Sequence, residues 1–178
     1  ITKIIDDGLR EVPGKPKAII VNADSGSIDQ TQHIFLDTRT YFPKKAILCK
    51  SKNEGKGRNI FETLKIFRKS ADYFLMLDAD VTSAKVEWIN EFLKPLIKNK
   101  AELVTPIYKR NRYEGNTTNH FSSPIIYACL GKYVAQPIAG DFAFTKKLAN
   151  KVYEQFSCNS DHGYGVDTLI TWTALLNN

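Results

Sequence analysis

Two aspartates, Asp78 and Asp80, stand one alanine apart at the end of an apolar run, Phe74 to Leu77. Burial of apolar surface accounts for the run but not for like charges at its end. Side chains two apart in extended chain point the same way. Two carboxylates about 4 Å apart then repel by roughly 4 kcal/mol at an effective dielectric of about 20. A hard divalent cation, Mg²⁺ or Mn²⁺, relieves that repulsion because it takes oxygen ligands. Held by one or two carboxylates, the ion keeps positions open for phosphate oxygens and can neutralise a departing diphosphate. The competing reading makes one aspartate the cap of the next helix, but Thr82 and Ser83 are at hand for that.

Further stretches bear chemistry. Asp24-Ser25-Gly26-Ser27 follows an apolar run, with Asp29 and Thr31 near a helix start; small residues there let a backbone approach a ligand and leave N–H groups free. A well-capped turn would look the same, and the Gly-x-Gly-x-x-Gly dinucleotide spacing is absent. Lys56 lies between Gly55 and Gly57 at a predicted helix start, where an ammonium and a positive helix end together suit phosphate. It is not a Walker loop, which needs an earlier Gly and a Ser or Thr after the Lys. Asp141 and Asp167 each lie beside or near Gly, and Gly163 and Gly165 frame Tyr164. Asp167 also suits the first turn of a helix, where the dipole favours an acid. His33 reads as a surface helix residue, and His120 and His162 as structural residues beside candidate loops.

Stepping outward from these residues, short apolar runs alternate with amphipathic stretches. The pattern predicts helices over 2–12, 29–36, 57–70, 88–97, 120–130, 146–156 and 165–176, the fourth capped near Ser83. Strands are predicted over 18–22, 46–49, 73–77, 103–108 and 141–144. Such alternation implies a single α/β domain over 1–178, with a mostly parallel sheet covered on both faces. Ligands of such sheets bind at the carboxyl ends of strands, where Asp78 and Asp80 stand.

The chain has 178 residues, is 43% hydrophobic and 25% charged, and so can bury a core without staples. Cys49, Cys129 and Cys158 are odd in number and lack metal-ligand spacing, which speaks against a disulfide framework or a zinc site. No apolar stretch reaches bilayer length and no signal-peptide pattern is found; a cytoplasmic location without a membrane-spanning segment is expected. The net charge of +6 includes clusters at 44–45, 50–56 and 109–112. They read as a solvated basic face, or as a surface drawing phosphorylated small molecules or anionic lipid. Nucleic acid is not expected, because no recognition motif or aromatic interleaving is found.

The order of these motifs carries a resemblance. Asp-Ser-Gly-Ser-x-Asp-x-Thr, Gly-Lys-Gly, a strand into Asp-x-Asp, Gln-Pro-x-x-Gly-acid and Gly-Tyr-Gly-Val-acid resemble the GT-A nucleotide-sugar glycosyltransferases. Closer still is the retaining glucosyl-3-phosphoglycerate synthase and mannosylglycerate synthase group. The similarity spans nearly the whole chain; "GYGVD" and "QPIAGD" are its specific pieces. It implies a Rossmann-like GT-A fold, here as an incomplete core, and transfer of a hexose from a UDP- or GDP-sugar to a small anionic hydroxy acid with Mg²⁺ or Mn²⁺. By the same resemblance Asp24 and Ser25 face the base, Lys56 meets the diphosphate, Asp78 and Ala79 approach the ribose, and Asp80 with Asp78 ligates the metal. Thr118 and Asn116 in the acceptor loop, with Gly140, hold the acceptor. The Ile138 carbonyl lies near the anomeric carbon, and Asp167 orients or deprotonates the acceptor hydroxyl. Asn116 stands where phosphoglycerate enzymes carry Arg, which grips phosphate bidentately as Asn cannot; Lys109, Arg110 or Arg112 could substitute. The resemblance further implies a strand before Ile1 and a metal-binding His beyond Asn178, so a fragment of a longer enzyme is expected. An inverting route with Asp141 as general base and a non-catalytic nucleotide-binding module are the alternatives, and a homodimer stays open.

Overall fold

The computed structural model describes residues 1–49, 55–109, 111, 113–158, 163 and 165–177. Seven α-helices are found among them: α1 (Thr2–Glu11), α2 (Thr31–Asp37), α3 (Gly55–Phe67), α4 (Val86–Ile97), α5 (Ser123–Leu130), α6 (Lys146–Cys158) and α7 (Val166–Leu176). The strands are β1 (Ile20–Asp24), β2 (Lys44–Leu48), β3 (Tyr73–Met76), β4 (Leu103–Val104) and β5 (Phe142–Thr145). A π-helical stretch, Thr117–Ser122, leads into α5.

Strands β1 and β2 pair in parallel, from Ile20 opposite Lys44 to Asp24 opposite Leu48. Strand β5 runs antiparallel between β3 and β4, which are therefore parallel to one another. Alternation of helices and strands predicts the parallel β1–β2 pair but not the reversed strand β5, which makes the other two pairings antiparallel. That reversal matters for the site: Met76 at the end of β3 faces Phe142 at the start of β5, so whatever precedes Phe142 lies beside whatever follows Met76. Strand β4 is shorter than the 103–108 expected. Pro106 explains this, since it has no N–H for a ladder.

The period-two alternation of strands divides the core. Phe74, Phe142 and Phe144 pack with Ile60 and Leu64 of α3 and Leu148, Ala149 and Val152 of α6. Ala143 packs on the opposite side with Phe92 and Leu96 of α4, and Leu75 joins them. Helix α4 buries Ile89, Phe92, Leu93 and Leu96, the i, i+3, i+4, i+7 face of an amphipathic helix. Its N-cap is Lys85, without a side-chain capping bond; the cap expected near Ser83 is not formed, because the chain turns again before the helix begins.

Helix α1 meets α4 closely. A Cβ at Gly8 would stand 2.3 Å from Ile89 Cγ1 and 2.7 Å from the Val86 carbonyl, so only glycine fits. Asp6 anchors α1 to the chain after α2: its buried carboxylate accepts the amides of Tyr41 at 2.9 Å and Phe42 at 3.0 Å. Lys44, read as part of a basic cluster, instead donates to the carbonyls of Phe35 at 2.7 Å and Leu36 at 2.8 Å, and to that of Thr38, at the end of α2. Among the described residues, Cys49 is buried and Cys129 exposed, and neither is in a disulfide. Among the described residues no helix is long and apolar enough to cross a membrane.

For Asp6, burial raises its affinity for a proton, but the Phe42 and Tyr41 amides and Lys3 outweigh this and hold the pKa below the ordinary range. A depressed folded pKa contributes stability above the unfolded value, about 3.9, that is lost as pH falls through the folded one. Asp6→Ala is expected to lower unfolding free energy by about 3 kcal/mol at neutral pH. The difference from wild type should shrink in strong acid, as urea titrations at both pH values would show.

Candidate functional site

Lys56 occupies the first turn of α3. Its ammonium donates to the Gly140 carbonyl at 2.7 Å, and it stands 2.7 Å from Asp78 Oδ1 and 3.4 Å from Asp167 Oδ1. Four separate chain segments therefore meet at one cation: the start of α3, the chain after β3, the loop before β5 and the first turn of α7. All three partners had been singled out in the sequence, but their convergence on Lys56 had not.

Asp141 is 1% exposed. Its Oδ1 accepts the Asp78 amide at 2.9 Å, and its Oδ2 accepts the Tyr108 hydroxyl. The same hydroxyl lies 2.9 Å from the Ala139 carbonyl. Burial pushes the Asp141 carboxyl above its ordinary range, against the hydrogen bonds from Tyr108 and Asp78. Asp167 is raised likewise by burial, with Lys56 opposing. Its Oδ1 lacks a well-formed hydrogen bond, so the contact with Lys56 is an ion pair.

The loop 136–141 is fixed in an uncommon way. The Pro137 carbonyl accepts Thr171 Oγ1 at 2.7 Å, that of Ile138 accepts Gln136 Nε2 at 2.6 Å, that of Ala139 shares the single Tyr108 hydroxyl proton with Asp141, and that of Gly140 accepts Lys56. Consecutive carbonyls are thus satisfied by side chains, in place of a ladder. Gln136 Nε2 also lies 3.5 Å from Thr118 Oγ1, joining the buried Thr118 to this loop. Asn116, just before the π-helical stretch, is exposed.

The paired aspartates differ from their expected geometry. The strand ends at Met76, and a turn closed by the Val81 amide on the Asp78 carbonyl at 3.3 Å follows. Asp78 and Asp80 are therefore not neighbours on one face of extended chain. Asp78 faces Lys56, whereas Asp80 is exposed, as is Ala79. Among the described residues no three His, Cys, Asp or Glu side chains gather as a metal site. Neither aspartate caps α4.

Asp24 closes its own turn: Oδ1 accepts the Gly26 amide at 3.0 Å, the Ser27 amide at 2.9 Å and the Ser27 hydroxyl at 2.8 Å. Ser25 Oγ donates to Asn59 of α3 at 2.7 Å, tying this turn to the helix that carries Lys56. A cavity of about 240 Å³ between α1, α2 and β1 reaches Leu77 and Ala79. His33 and His120 are exposed. Lys50, Lys52, Arg110, Arg112, His162 and Tyr164 lie outside the described residues. Sequence reasoning missed Tyr108, which it placed in a strand.

The sequence matches the model of the glycosyl transferase family 2 over residues 1–161. No curated protein matches it. Among solved structures it is similar to glucosyl-3-phosphoglycerate synthase from Mycobacterium tuberculosis in complex with Mn²⁺, uridine-diphosphate-glucose and phosphoglyceric acid. The identity is 22% and the TM-score 0.66, over 94% of this chain and 57% of that one. The same enzyme with Mg²⁺ and uridine-diphosphate gives 0.68 at 22% identity, over 94% and 57% of the two chains. Mannosyl-3-phosphoglycerate synthase from Rubrobacter xylanophilus gives 0.61 at 20% identity, over 83% and 50%. The chain spans less than two thirds of each. The likeness shows the GT-A, Rossmann-like α/β fold.

Gly140 has φ +80°, and a Cβ there would lie 2.5 Å from Asp78 Oδ2. Gly140→Ala should cost about 1–3 kcal/mol of stability. Gly165→Ala, where a Cβ meets nothing within 4 Å, should cost less than about 1 kcal/mol. Denaturant unfolding of the two variants checks the contrast.

Proposed function

The chain belongs to glycosyl transferase family 2, and from that premise we propose that it transfers a hexose from a nucleoside diphosphate sugar to a small acidic hydroxy acceptor, glycerate- or phosphoglycerate-like, with retention at the anomeric carbon. The observation that carries this reading is the Lys56 ammonium held by Gly140, Asp78 and Asp167 at the carboxyl end of β3. An ammonium between carboxylates can turn to an incoming diphosphate without leaving the site. The Mn²⁺, UDP-glucose and phosphoglyceric acid of the similar M. tuberculosis structure support the choice of donor and acceptor class.

A divalent cation fits the donors present. Asp80 is exposed and makes no ion pair among the described residues, and Asp78 is half-exposed; both offer oxygen, as Mg²⁺ and Mn²⁺ prefer. These two carboxylates would hold the ion, leaving further positions to phosphate oxygens, and the ion would neutralise charge on the diphosphate.

In this reading Asp24, through the turn it closes, and Ser25 present the base-binding loop, and Ala79 lies by the ribose. Lys56 stabilises the diphosphate as the bond from the anomeric carbon to its oxygen breaks. The acceptor, held by Thr118, Asn116 and Gly140, bonds through its hydroxyl oxygen on the same face, and its proton passes to the departing diphosphate oxygen. The Ile138 carbonyl, held by Gln136, keeps a second lone pair near the reacting carbon. Asp167 orients the acceptor hydroxyl as an ionised acceptor. The buried, doubly bonded Asp141 suits holding the loop better than taking a proton in an inverting reaction.

Assay of the protein against a panel of UDP- and GDP-sugars, with and without Mn²⁺, tests the proposal. Transfer should require Mn²⁺ and fall at least about 100-fold in Asp80→Ala. Equal turnover of wild type and variant sinks the reading, and tight UDP binding without transfer points to a binding module. Because burial raises the Asp167 pKa, its carboxylate protonates at higher pH than a free aspartate. The rate should therefore fall on the acid side above the ordinary aspartate range of about 3.9. Asp167→Asn should lower the rate and remove that acid limb from the profile.

A further inference from the structure

We propose that Tyr108 is a positioning residue, whose hydroxyl fixes the loop before β5 against the turn after β3 and thereby sets where Lys56 and Asp78 stand. The inference rests on the transferase reading for its consequence in turnover, but its structural claim stands on the geometry alone.

Three observations carry it. The Tyr108 hydroxyl reaches both residues that flank Gly140: the Ala139 carbonyl at 2.9 Å and Asp141 Oδ2. The other oxygen of Asp141 accepts the Asp78 amide at 2.9 Å, so a continuous chain of hydrogen bonds runs from the phenol to the backbone of the residue that faces Lys56. Between the two anchored residues, Gly140 gives its carbonyl to Lys56 at 2.7 Å and its bare Cα to Asp78, whose Oδ2 would be 2.5 Å from a Cβ. Little slack remains in this arrangement: a shift of the loop by the length of a bond either opens the Lys56 contact or collides with Asp78. A phenylalanine at 108 would fill the same volume and hold neither end.

Tyr108 reaches this position because β4 stops at Val104, ahead of Pro106. The chain leaves the sheet there, and the residue after Tyr108, Lys109, is exposed and is one of three cations that could substitute for the missing Arg toward the acceptor. One side chain thus links the acceptor-side segment to the donor-side carboxylates. Supporting shells of this kind fix the groups that touch substrate, and members of one network are not additive when removed.

The test compares Tyr108→Phe, Asp141→Asn and the double variant in the same protein. Amide hydrogen exchange reads the Asp78 N–H directly. Tyr108→Phe should speed it about tenfold, while exchange of the core amides of α4 and β5 stays at the wild-type rate. With UDP-sugar and Mn²⁺, kcat should fall about tenfold and the KM values for donor and acceptor both rise, because the loop it releases carries Gly140 between them. The double variant should be no worse than Asp141→Asn alone. Unchanged Asp78 exchange, or losses that add in the double variant, would overturn the proposal. Faster exchange at Asp78 in a protein that shows no transfer with any sugar nucleotide upholds the positioning role and removes the transferase reading instead.

Discussion

The arrangement depends on how four consecutive carbonyls are satisfied. A loop that leaves the sheet must still find donors for its backbone oxygens, because an unpaired buried carbonyl costs about as much as a lost hydrogen bond. Residues 137–140 find them in Thr171, Gln136, Tyr108 and Lys56. These donors come from α7, from the loop itself, from the segment after β4 and from α3. Each is therefore a tie between the loop and a different part of the molecule, and the loop cannot move without breaking several. A ladder would have held the same oxygens with backbone alone and left no cation at Gly140. Using Lys56 as a donor brings an ammonium into the site as a condition of folding the loop.

Direction of a single strand turns this loop into part of a site. Had β5 run parallel to β3, the residues before Phe142 would lie beside the start of β3, at the opposite end of the strand from Asp78. Antiparallel pairing, with Met76 opposite Phe142, sets Asp141 and Gly140 at the carboxyl end of β3. The carboxyl-end rule for open α/β sheets is thus met here by one strand's end and another strand's beginning.

Most elements could be read from the sequence because their hydrophobic periods are strong. The apolar spacing of 60, 64 and 67 and of 89, 92, 93 and 96 marks α3 and α4, and Phe74, Phe142 and Phe144 mark buried strands. Lys56, Asp78, Asp141 and Asp167 also stand out in the sequence as charged residues at predicted element ends beside glycine or apolar runs, and Gly140 through the resemblance. Pairing was what could not be read: local pattern says that a segment is a strand, not which neighbour it takes or in which direction. Tyr108 escaped for a related reason. Within an assumed strand over 103–108 it looks like an ordinary aromatic, although Pro106 already argued against a ladder there. The geometry expected of Asp78 and Asp80 assumes extended chain, whereas the strand ends at Met76 and a turn separates Asp78, which faces Lys56, from the exposed Asp80.

Electrostatics connects these points to chemistry. The chain carries a net charge of +6, yet at the carboxyl end of β3 one ammonium faces Asp78 and Asp167 with Asp141 behind them. Burial makes ionisation of Asp141 and Asp167 harder than in water, so a local excess of carboxylate is tolerated only because it is partly neutralised by Lys56 and by hydrogen-bond donors. In the proposed reading such a site would take a further cation through Asp78 and the exposed Asp80. An added cation would share the work now done by Lys56, leaving its ammonium free to turn toward an anion. Under the proposed function, positive charge and phosphate would then stabilise each other's entry, so that the Lys56 contacts that hold the carboxylates together need not exclude a diphosphate.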